Sequence, residues 1–550
     1  MKFFTPIQRF RKLIKTDRKD IGRVYYYAIF HGLVNLSIPL GIQAIVNLIQ
    51  GGQVSTSWIV LVVIVVLGVL LTGGLQLAQM RIIETLQQKI FARAAFEFTY
   101  RLPKFKASVI DNESAPELMN RFFDTVSVQK GMSKVLLDFS TATLQIVFGL
   151  ILLSFYHPFF IIFGLGLFLL VIAIFKYTGV DGLKTSMRES KYKYKVVSWL
   201  EDIAKTRLSF KLSPASDLHL RRTDDNVLGY LESRESHFKV LRHQYILLIV
   251  FKSLVAAGLL LIGGLLVLNQ QMNIGQFIAA EIIILLVINS VEKLILSIEN
   301  VYDVITALEK IGYVTDLEVD HINMGSQTLS NATPASVEIK NLTFSHTGSD
   351  VPVIRDFSMN VQPGQHTCLT GKSGSGKTSL LYLLSGIYQA ESGTVCINDL
   401  PMANYNADEL YARIGIRLNQ EYIFDGTLLE NITLGRHHIS GEDVLWAAEL
   451  TTLSEFIKQQ PAGLDTRLGV EGSKLPKSII QKILLARSIV HKPRLLLIEN
   501  GMEFMEKHDR QSIIASLTSK EQSWTLICSS VNEDMIKACQ QVIEIKTKEN

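Results

Sequence analysis

Residues 371–378 combine residue types and spacing that suit the binding of a phosphate group. Their sequence is Gly-Lys-Ser-Gly-Ser-Gly-Lys-Thr, with a predicted strand, 366–370, before them and a helical stretch, 379–385, after them. The glycines allow backbone N–H groups to curve around a phosphate, and the start of the helix adds a favourable dipole. In this context Lys377 would reach the β- and γ-phosphates of ATP, and Thr378 would ligate Mg²⁺. The predicted nucleotide-contacting residues of this segment are Gly371, Lys372, Ser373, Gly374, Ser375, Gly376, Lys377, Thr378 and Ser379.

The region around this motif predicts an α/β nucleotide-binding domain. Short β-rich runs alternate with helical runs from residue 337 to residue 550, a length within the usual range for one domain. The stretch 316–336 is polar and without periodicity, and residues 311–336 before this region are predicted to be a linker. The four cysteines of the chain are Cys368, Cys396, Cys528 and Cys539. They lack metal-ligand spacing, so they favour buried thiols in a reducing compartment over a disulfide framework.

The first 310 residues hold most of the excess apolar character. Hydrophobic residues make up 48% of the chain and charged residues 19%, whereas an ordinary soluble protein has about 25% charged residues. A helix needs roughly 20 apolar residues to span a bilayer, and six stretches satisfy this within a predicted transmembrane domain, 21–310. The predicted spans are 24–49, 58–80, 135–156, 159–177, 245–268 and 276–296. The predicted fold is multi-domain, an all-α six-helix transmembrane domain followed by an α/β domain. The formal net charge of +4 is too small to indicate nucleic-acid binding.

The distribution of basic residues predicts the orientation of these spans. Residues 1–20 are predicted to include an amphipathic N-terminal helix at the membrane interface, because 3–17 alternates bulky apolar and basic residues. A solvated basic tail is the alternative interpretation. The short loops between paired spans are uncharged, whereas the N-terminus and segments 81–134 and 178–244 are rich in Lys and Arg. Since basic segments stay on the cytoplasmic side, we expect a multi-pass protein of the inner (plasma) membrane with both termini in the cytoplasm.

Two of the basic segments are predicted to be largely helical. Residues 81–101 and 186–211 have helical apolar spacing and few helix breakers, so the membrane helices should continue well into the cytoplasm. Between them, Pro103 and the stretch 111–116 mark a turn.

Four further polar residues are functional candidates by their type and position. Lys252 and Glu281 lie inside predicted spans, where charges are costly and usually face the helix bundle or water. They are interpreted either as a substrate-contacting or proton-linked pair, or as a structural contact between helices or protomers, with the structural interpretation favoured. His437 and His438 are adjacent, so their side chains point apart, and we expect both at the surface.

Several motifs together resemble the ABC transporters of exporter type, in which one chain joins a membrane domain to a P-loop nucleotide-binding domain. In the soluble part, 337–345 resembles the first strand of that domain and 427–432 the segment after the Q-loop. Residues 465–475 resemble the lead into the signature helix, which contains 485–488. The membrane part looks most like half-transporters of type I secretion, toxin and peptide export systems.

This resemblance implies a function and a set of partners. It implies ATP-dependent transmembrane export by a dimer in membrane lipid, with two ATP molecules held between two nucleotide-binding domains. The second half-transporter is either an identical or a different chain, and a periplasmic adaptor protein is a candidate further partner. Coupling helices are expected at 112–121 and near 201–209.

The remaining nucleotide-domain motifs depart from the pattern of the family. His346 stands at the position of the adenine-stacking aromatic, and Asn419 aligns with the Q-loop glutamine, with Gln420 one position later. The signature Leu-Ser-Gly-Gly-Gln is replaced at 475–479 by Leu-Pro-Lys-Ser-Ile, in which Pro476 lacks an N–H group.

The residues expected to carry out hydrolysis are also altered. Glu499 stands where an Asp would hold the Mg²⁺ shell through water, and Asn500 stands where a Glu would act as general base. Val531 occupies the switch-histidine position, and the D-loop, 503–506, is Glu-Phe-Met-Glu. We therefore expect a degenerate nucleotide-binding domain without intact catalytic residues. Two functions follow: an exporter subunit that binds ATP with impaired hydrolysis, or a nucleotide-binding pseudo-ATPase that acts as a membrane scaffold or regulatory subunit.

Overall fold

The computed structural model of the chain describes residues 5–51, 56–110, 115–320, 325–330, 333–349, 351–419 and 421–546. These residues form two compact units. The first comprises Met1–Lys104 and Glu113–Leu317, and the second comprises Phe105–Asn112 and Glu318–Asn550. Three parts of the predictions lie outside the described residues: Gln420, residues 52–55 of the uncharged loop 50–57 between the first two spans, and the start of the predicted coupling helix 112–121.

The first unit is helical. In chain order, the described α-helices before residue 316 are α1 (Pro6–Thr16), α2 (Arg18–Gln50), α3 (Thr56–Arg101), α4 (Ala107–Ile110), α5 (Ala115–Asn120), α6 (Asp124–Ser154), α7 (Phe159–Lys205), α8 (Arg207–Lys211), α9 (Leu218–Leu268) and α10 (Ile274–Thr315), of which α4 belongs to the second unit. The predicted continuation of the membrane helices through 81–101 is confirmed by α3. The second predicted helical segment, 186–211, is divided between α7 and α8 by a turn at Thr206.

Five helices of the first unit are long and apolar enough to cross a membrane, as judged by length and composition within the described residues. They contain the predicted spans 24–49, 58–80, 245–268 and 276–296 in full. They also contain 135–154 of the predicted span 135–156. The fourth predicted span, 159–177, begins α7, where the apolar stretch Phe159–Ala173 is shorter than a full span. The chain is a multi-pass membrane protein, and the count of six spans stays a prediction.

The N-terminal helix α1 forms ion pairs with the end of the first unit. The Arg9 side chain is 9% exposed, and its guanidinium lies 2.9 Å from an Asp316 carboxylate oxygen and 3.4 Å from one of Glu309. At Asp17 the chain turns into α2, and the Asp17 carboxylate pairs with Arg93 of α3 at 2.8 Å. The amphipathic helix predicted for 1–20 is thus shorter, and one of its basic residues is buried in an ion-pair network.

The last helix extends further than the sequence predicted. Residues 311–315, which were assigned to the linker, are the final turn of α10. They stay helical because Val314 is 1% exposed and Ile311 packs on the apolar cluster formed by α1, α2, α3 and α6.

The charged residue in the fifth span has a partner on the sixth. The Lys252 ammonium lies 2.6 Å from a carboxylate oxygen of Glu292 on α10. Glu281 is half-buried and makes no ion pair with any residue that the structure describes. The favoured structural interpretation of Lys252 is supported, but its partner is Glu292 instead of Glu281. A proton-linked pair of Lys252 and Glu281 is therefore not formed.

The second unit is an α/β domain with two sheets. Its strands are β1 (Val337–Phe344), β2 (Ile354–Val361), β3 (His366–Thr370), β4 (Ser392–Ile397), β5 (Leu400–Pro401), β6 (Ile414–Arg417), β7 (Leu495–Glu499), β8 (Thr525–Ser529) and β9 (Gln541–Glu544). Its later helices are α11 (Lys377–Leu384), α12 (Ala407–Tyr411), α13 (Leu428–Thr433), α14 (Gly441–Leu450), α15 (Ser454–Gln459), α16 (Lys477–Ile489), α17 (Lys507–Leu517) and α18 (Glu533–Ala538). One sheet has the order β2-β1-β4-β5 and is antiparallel, and the other has the order β6-β7-β8-β3-β9 and is parallel.

The parallel sheet is covered on both faces. Its central strands are near-continuous apolar runs, as expected for strands buried on two sides, and alternate residues face opposite cores. Leu495, Leu497 and Ile527 belong to the core shared with the antiparallel sheet. Leu496 and Cys528 belong to a second core, which α14, α16 and α17 cover. This burial fixes the carboxyl ends of β3, β7 and β8 side by side, where ligands bind in open parallel sheets.

Candidate nucleotide site

The phosphate-binding loop joins β3 to α11, as the sequence predicts. Gly371, Gly374 and Gly376 have positive φ angles of 139°, 80° and 94°, which glycine adopts without steric cost. A methyl group on Gly371 would lie 2.5 Å from the carbonyl oxygen of Ile545, whereas the side-chain direction of Gly374 is open. The loop therefore leaves a concave backbone surface at the N-terminus of α11.

Two side chains at the start of α11 face this loop. The Lys377 ammonium donates to the carbonyl oxygens of Gly371 and Lys372, both at 2.8 Å, so its charge lies at the centre of the loop. The Thr378 hydroxyl donates to a carboxylate oxygen of Glu499 at the end of β7. The other Glu499 carboxylate oxygen accepts the backbone N–H of Asn419 at 3.1 Å.

The Thr378–Glu499 contact joins the two residues that were predicted to hold Mg²⁺. A hydroxyl and a carboxylate are oxygen donors of the kind that Mg²⁺ uses beside phosphate oxygens and water. Glu499 is 4% exposed. Its hydrogen bond with Asn419 places the predicted Q-loop residue next to this carboxylate. The donor set therefore fits a Mg²⁺ ion that accompanies a nucleotide in the loop.

His346 lies next to the start of α11. Its Nε2 atom is 3.0 Å from the Ser379 hydroxyl of α11. Its ring packs edge-on against Phe344 and Tyr388, with ring centroids 5.1 Å and 5.6 Å apart. Since Tyr388 also stacks on Tyr382, the imidazole belongs to an aromatic group beside the phosphate loop.

The residues at the predicted hydrolytic positions lie at the ends of β7 and β8. Asn500 has a positive φ of 47°, and its N–H donates to the Ser529 carbonyl at 2.8 Å. Val531 is 76% exposed, which is unusual for an apolar side chain beside a ligand site. Asn500 and Val531 line a cavity of about 270 Å³ that also borders Glu503 and Arg510. Because an amide cannot accept a proton at neutral pH, Asn500 cannot serve as general base.

The altered signature segment still leads into a helix. α16 begins at Lys477, and its first intrahelical hydrogen bond joins the Ile480 N–H to the Pro476 carbonyl at 3.2 Å. The Lys477 ammonium lies 4.6 Å from the centre of the Phe504 ring in the D-loop. Pro476 contributes no N–H group at this end, and Lys477 and Ser478 add side chains where the family has glycines.

Two of the motifs that resemble the family, 427–432 and 485–488, meet in the core. Arg487 of α16 donates from Nε to the Asn431 carbonyl at 2.7 Å and from Nη2 to its side-chain oxygen at 3.1 Å. Burial lowers the pKa of Arg487, and the nearby Glu421 carboxylate opposes that shift. The signature helix is thus anchored to α13 although its exposed end is altered.

Sequence reasoning missed Arg417, and it placed Glu503 in the D-loop without a role. Arg417 is the last residue of β6, is 4% exposed and donates to the Leu418 carbonyl. Burial lowers its pKa, while the carboxylates of Glu421, Glu499 and Glu503 raise it. Its signal in the sequence is that it is the single charged residue in the otherwise apolar run 414–418. Glu503 follows Asn500 by three residues, and the structure adds that both border the same cavity.

His437 and His438 are both exposed, as predicted. The three cysteines Cys368, Cys528 and Cys539 are brought together in the second core, which the sequence did not predict.

Two family models match the chain. The model of the ABC transporter transmembrane region matches residues 26–204, and the ABC transporter model matches residues 354–501. The chain is homologous to exporter-type ABC half-transporters. Its ABC transporter domain implies ATP binding.

Relatives of this chain occur among bacterial ATP-binding and permease proteins. The uncharacterized ABC transporter ATP-binding protein YfiB of Bacillus subtilis is 27% identical over 41% of this chain and 39% of its own length. The cyclolysin secretion/processing ATP-binding protein CyaB of Bordetella pertussis is 26% identical over 52% of this chain and 40% of its own length. The chain thus spans about two fifths of the length of these relatives. The putative multidrug export ATP-binding/permease protein YgaD of Bacillus subtilis is 22% identical over 91% of this chain and 87% of its own.

The fold of the chain matches that of a solved exporter. A bacterial Atm1-family ABC exporter with ATP bound has a TM-score of 0.83, with 96% of this chain and 94% of that chain covered. The sequence identity is 18%, so the likeness concerns the fold.

Proposed function

We propose that this half-transporter is the ATP-binding and permease subunit of an ABC exporter whose own capacity for hydrolysis is impaired. The observation that supports the proposal is a change from carboxylate to amide at the end of β7. Glu499 engages Thr378 and Asn419 at the Mg²⁺ position, and the next residue, Asn500, is an amide at the general-base position. Binding groups are retained, and the group that would accept a proton from water is missing.

The binding half of the proposal rests on the phosphate loop. Lys377 holds its charge over the loop carbonyls by hydrogen bonds of 2.8 Å, and ATP would receive that ammonium at its β- and γ-phosphates. Thr378 and Glu499 would hold Mg²⁺, which supplies charge neutralisation beside the phosphates. His346 would stack on the adenine less strongly than a larger aromatic ring.

The impaired half of the proposal rests on three positions that act together. Asn500 cannot take a proton, and the exposed Val531 offers no polar group to the reacting phosphate. Pro476 has no N–H group for a nucleotide held by an opposite subunit. Groups that act as a unit contribute non-additively, so three losses leave little turnover.

The location of these defects constrains the dimer. Both kinds of defect, at Asn500 and at 475–479, lie in one chain. In a homodimer each composite site would lack a base on one side and an intact signature on the other. In a heterodimer with a competent partner, the pocket of this chain would lack a base and the partner pocket would face Pro476.

The proposed setting is the inner membrane, with both termini in the cytoplasm. The support is the basic N-terminus and the basic extensions of α3, α7 and α9, set against uncharged short loops. Cysteine introduced at Gln53 should react with a membrane-impermeant thiol reagent in intact cells. Cysteine introduced at Ser213, which is exposed between α8 and α9, should not react. The reverse pattern would overturn the orientation.

The alternative function is a pseudo-ATPase that acts as a membrane scaffold or regulatory subunit. The same defects favour it, because a regulator needs nucleotide binding without turnover. An active exporter is the opposite possibility, and Glu503 favours it, since this carboxylate borders the cavity that Asn500 lines.

One purification separates these functions. The full chain is isolated in detergent, co-purifying chains are identified, and photoreactive-ATP labelling and phosphate release are measured on the same sample. Co-purification with a competent half-transporter, with turnover only in the complex, supports the exporter subunit. Labelling without turnover and without such a partner supports the scaffold. Turnover by the chain alone that is lost in Glu503→Gln would contradict impaired hydrolysis.

A further inference from the structure

The second core of the nucleotide-binding unit contains a group of three thiols, Cys368, Cys528 and Cys539, called here the thiol triad. Their three sulfur atoms all lie within 4.8 Å of one another, and the Cys528 and Cys539 sulfurs are 3.9 Å apart. All three are free cysteines. Cys368 is 0% and Cys528 1% exposed, and Cys539 is half-buried.

The fold builds the thiol triad from distant parts of the chain. Cys368 on β3 pairs directly with Cys528 on the neighbouring parallel strand β8, so both side chains project from the same face of the sheet. Cys539 follows α18 and precedes β9, the neighbour of β3 on its other side. The sheet order β8-β3-β9 therefore delivers one thiol from each of three adjacent positions.

The spacing of the sulfurs matches that of metal ligands. Thiolate sulfur lies about 2.3 Å from a bound metal ion such as zinc. Three sulfurs in a plane around an ion at that distance are about 4.0 Å apart by simple trigonometry. The observed 3.9 Å between the Cys528 and Cys539 sulfurs is close to this value. Because all three sulfurs lie within 4.8 Å of one another, small side-chain rotations would bring the whole set to that spacing.

We propose that Cys368, Cys528 and Cys539 form a three-coordinate site for a monovalent copper ion. The donors are all sulfur: no His, Asp or Glu joins this group among the residues that the structure describes. Soft thiolate and thioether ligands select Cu(I), whereas structural zinc almost always takes four ligands. The thioethers of Met502 and Met535 line the same cavity as Cys528 and enrich the surroundings in sulfur.

The same cavity gives the ion a route to the thiols. It has a volume of about 270 Å³ and is bordered by Cys528 and by the exposed Val531. Its lining thus connects a buried member of the thiol triad with a residue at the protein surface. A bound ion would link the strand before the phosphate loop, β3, to the strand that leads to Val531, β8.

The test is copper competition on the full chain in detergent, under anaerobic conditions with a reductant that is not a thiol. Cu(I) is supplied as its complex with a coloured chelator of known affinity. The wild type should withdraw one Cu(I) per chain, and X-ray absorption should find only sulfur neighbours near 2.3 Å. Cys528→Ser and the half-buried Cys539→Ser should each weaken binding at least about 100-fold.

Cys396→Ser is the matched control, because Cys396 is a buried thiol on β4 of the other sheet. It should bind copper as the wild type does. Photoreactive-ATP labelling of every variant checks that the nucleotide-binding unit is folded. The proposal is overturned if the wild type leaves all copper with the chelator, if the serine variants bind equally well, or if Zn²⁺ displaces Cu(I) from the site.

Discussion

The phosphate-binding and hydrolytic parts of the nucleotide site lie at neighbouring strand ends but differ in how their side chains are engaged. In the first part, Lys377 and Thr378 each bond to loop or strand groups, and Glu499 accepts two hydrogen bonds. In the second part, Asn500 is held only through its backbone N–H in the described contacts, and Val531 extends into solvent. Hydrogen bonds thus fix the side chains at the predicted nucleotide-binding positions, whereas the side chains of Asn500 and Val531 make none in the described contacts.

The largest expected effect comes from removing the charge at the centre of the loop. Lys377→Ala should lower ATP affinity by about 10- to 100-fold, because charge-assisted hydrogen bonds contribute roughly 1.5–3 kcal/mol. Photoreactive-ATP labelling at limiting nucleotide measures this, with Lys458→Ala as control, since Lys458 is an exposed lysine on α15 outside the predicted nucleotide-contacting residues. Equal labelling of both variants would place the nucleotide elsewhere.

A smaller effect is expected at the Mg²⁺ position. Glu499→Gln keeps the size of the side chain but removes its charge, so Mg²⁺ should no longer enhance ATP labelling, and affinity should fall by about 10-fold. Glu499→Asp retains the charge and should preserve part of the enhancement. If chelation of Mg²⁺ lowers labelling equally in wild type and Glu499→Gln, Glu499 does not hold the ion.

The next effect concerns the adenine side of the pocket. His346→Ala should weaken ATP binding by about 3- to 10-fold, because aromatic packing of this kind is worth roughly 0.5–1.5 kcal/mol. His346→Tyr should bind ATP more tightly than the wild type, and the exposed His437→Ala should leave affinity unchanged. A tripolyphosphate competitor, which lacks adenine, should not distinguish wild type from His346→Ala, and a difference there would argue against stacking.

The smallest effect on binding is expected on the hydrolytic side. Asn500→Ala should change ATP affinity by less than about twofold, because only the backbone N–H of Asn500 bonds to the neighbouring strand. The affinity is measured by the same labelling titration. A large loss of affinity would show that the two parts of the site are not independent.

The contiguous features of the molecule were predictable from the sequence. Residues 371–378 carry their own strand, loop and helix signals, so the loop between β3 and α11 follows from local spacing. The roles of Lys377 and Thr378 stay predictions. The long apolar runs likewise predicted the helices of the membrane unit. These signals are local, because each element is specified by residues that are neighbours in the chain.

Features that depend on packing between distant elements were not predictable. Lys252 pairs with Glu292 because α9 and α10 set the partner by their relative register, which a single sequence does not display. Arg9 is buried only because α1 folds against the end of α10. The thiol triad forms because the sheet order places β3 between β8 and β9, although Cys368 and Cys528 are far apart in sequence.

The most direct test of impaired hydrolysis is steady-state phosphate release by the purified chain and by repaired variants. General-base catalysis is typically worth roughly 10²–10⁴-fold, so Asn500→Glu would restore a site that lacked only its base. The variants are wild type, Asn500→Glu, and a variant that also carries Val531→His and the segment 475–479 rebuilt to Leu-Ser-Gly-Gly-Gln. We expect little gain in Asn500→Glu and a large gain only in the fully repaired variant, because the three groups act as a unit. Ordinary transporter turnover in Asn500→Glu alone, or in the wild type, would contradict the account.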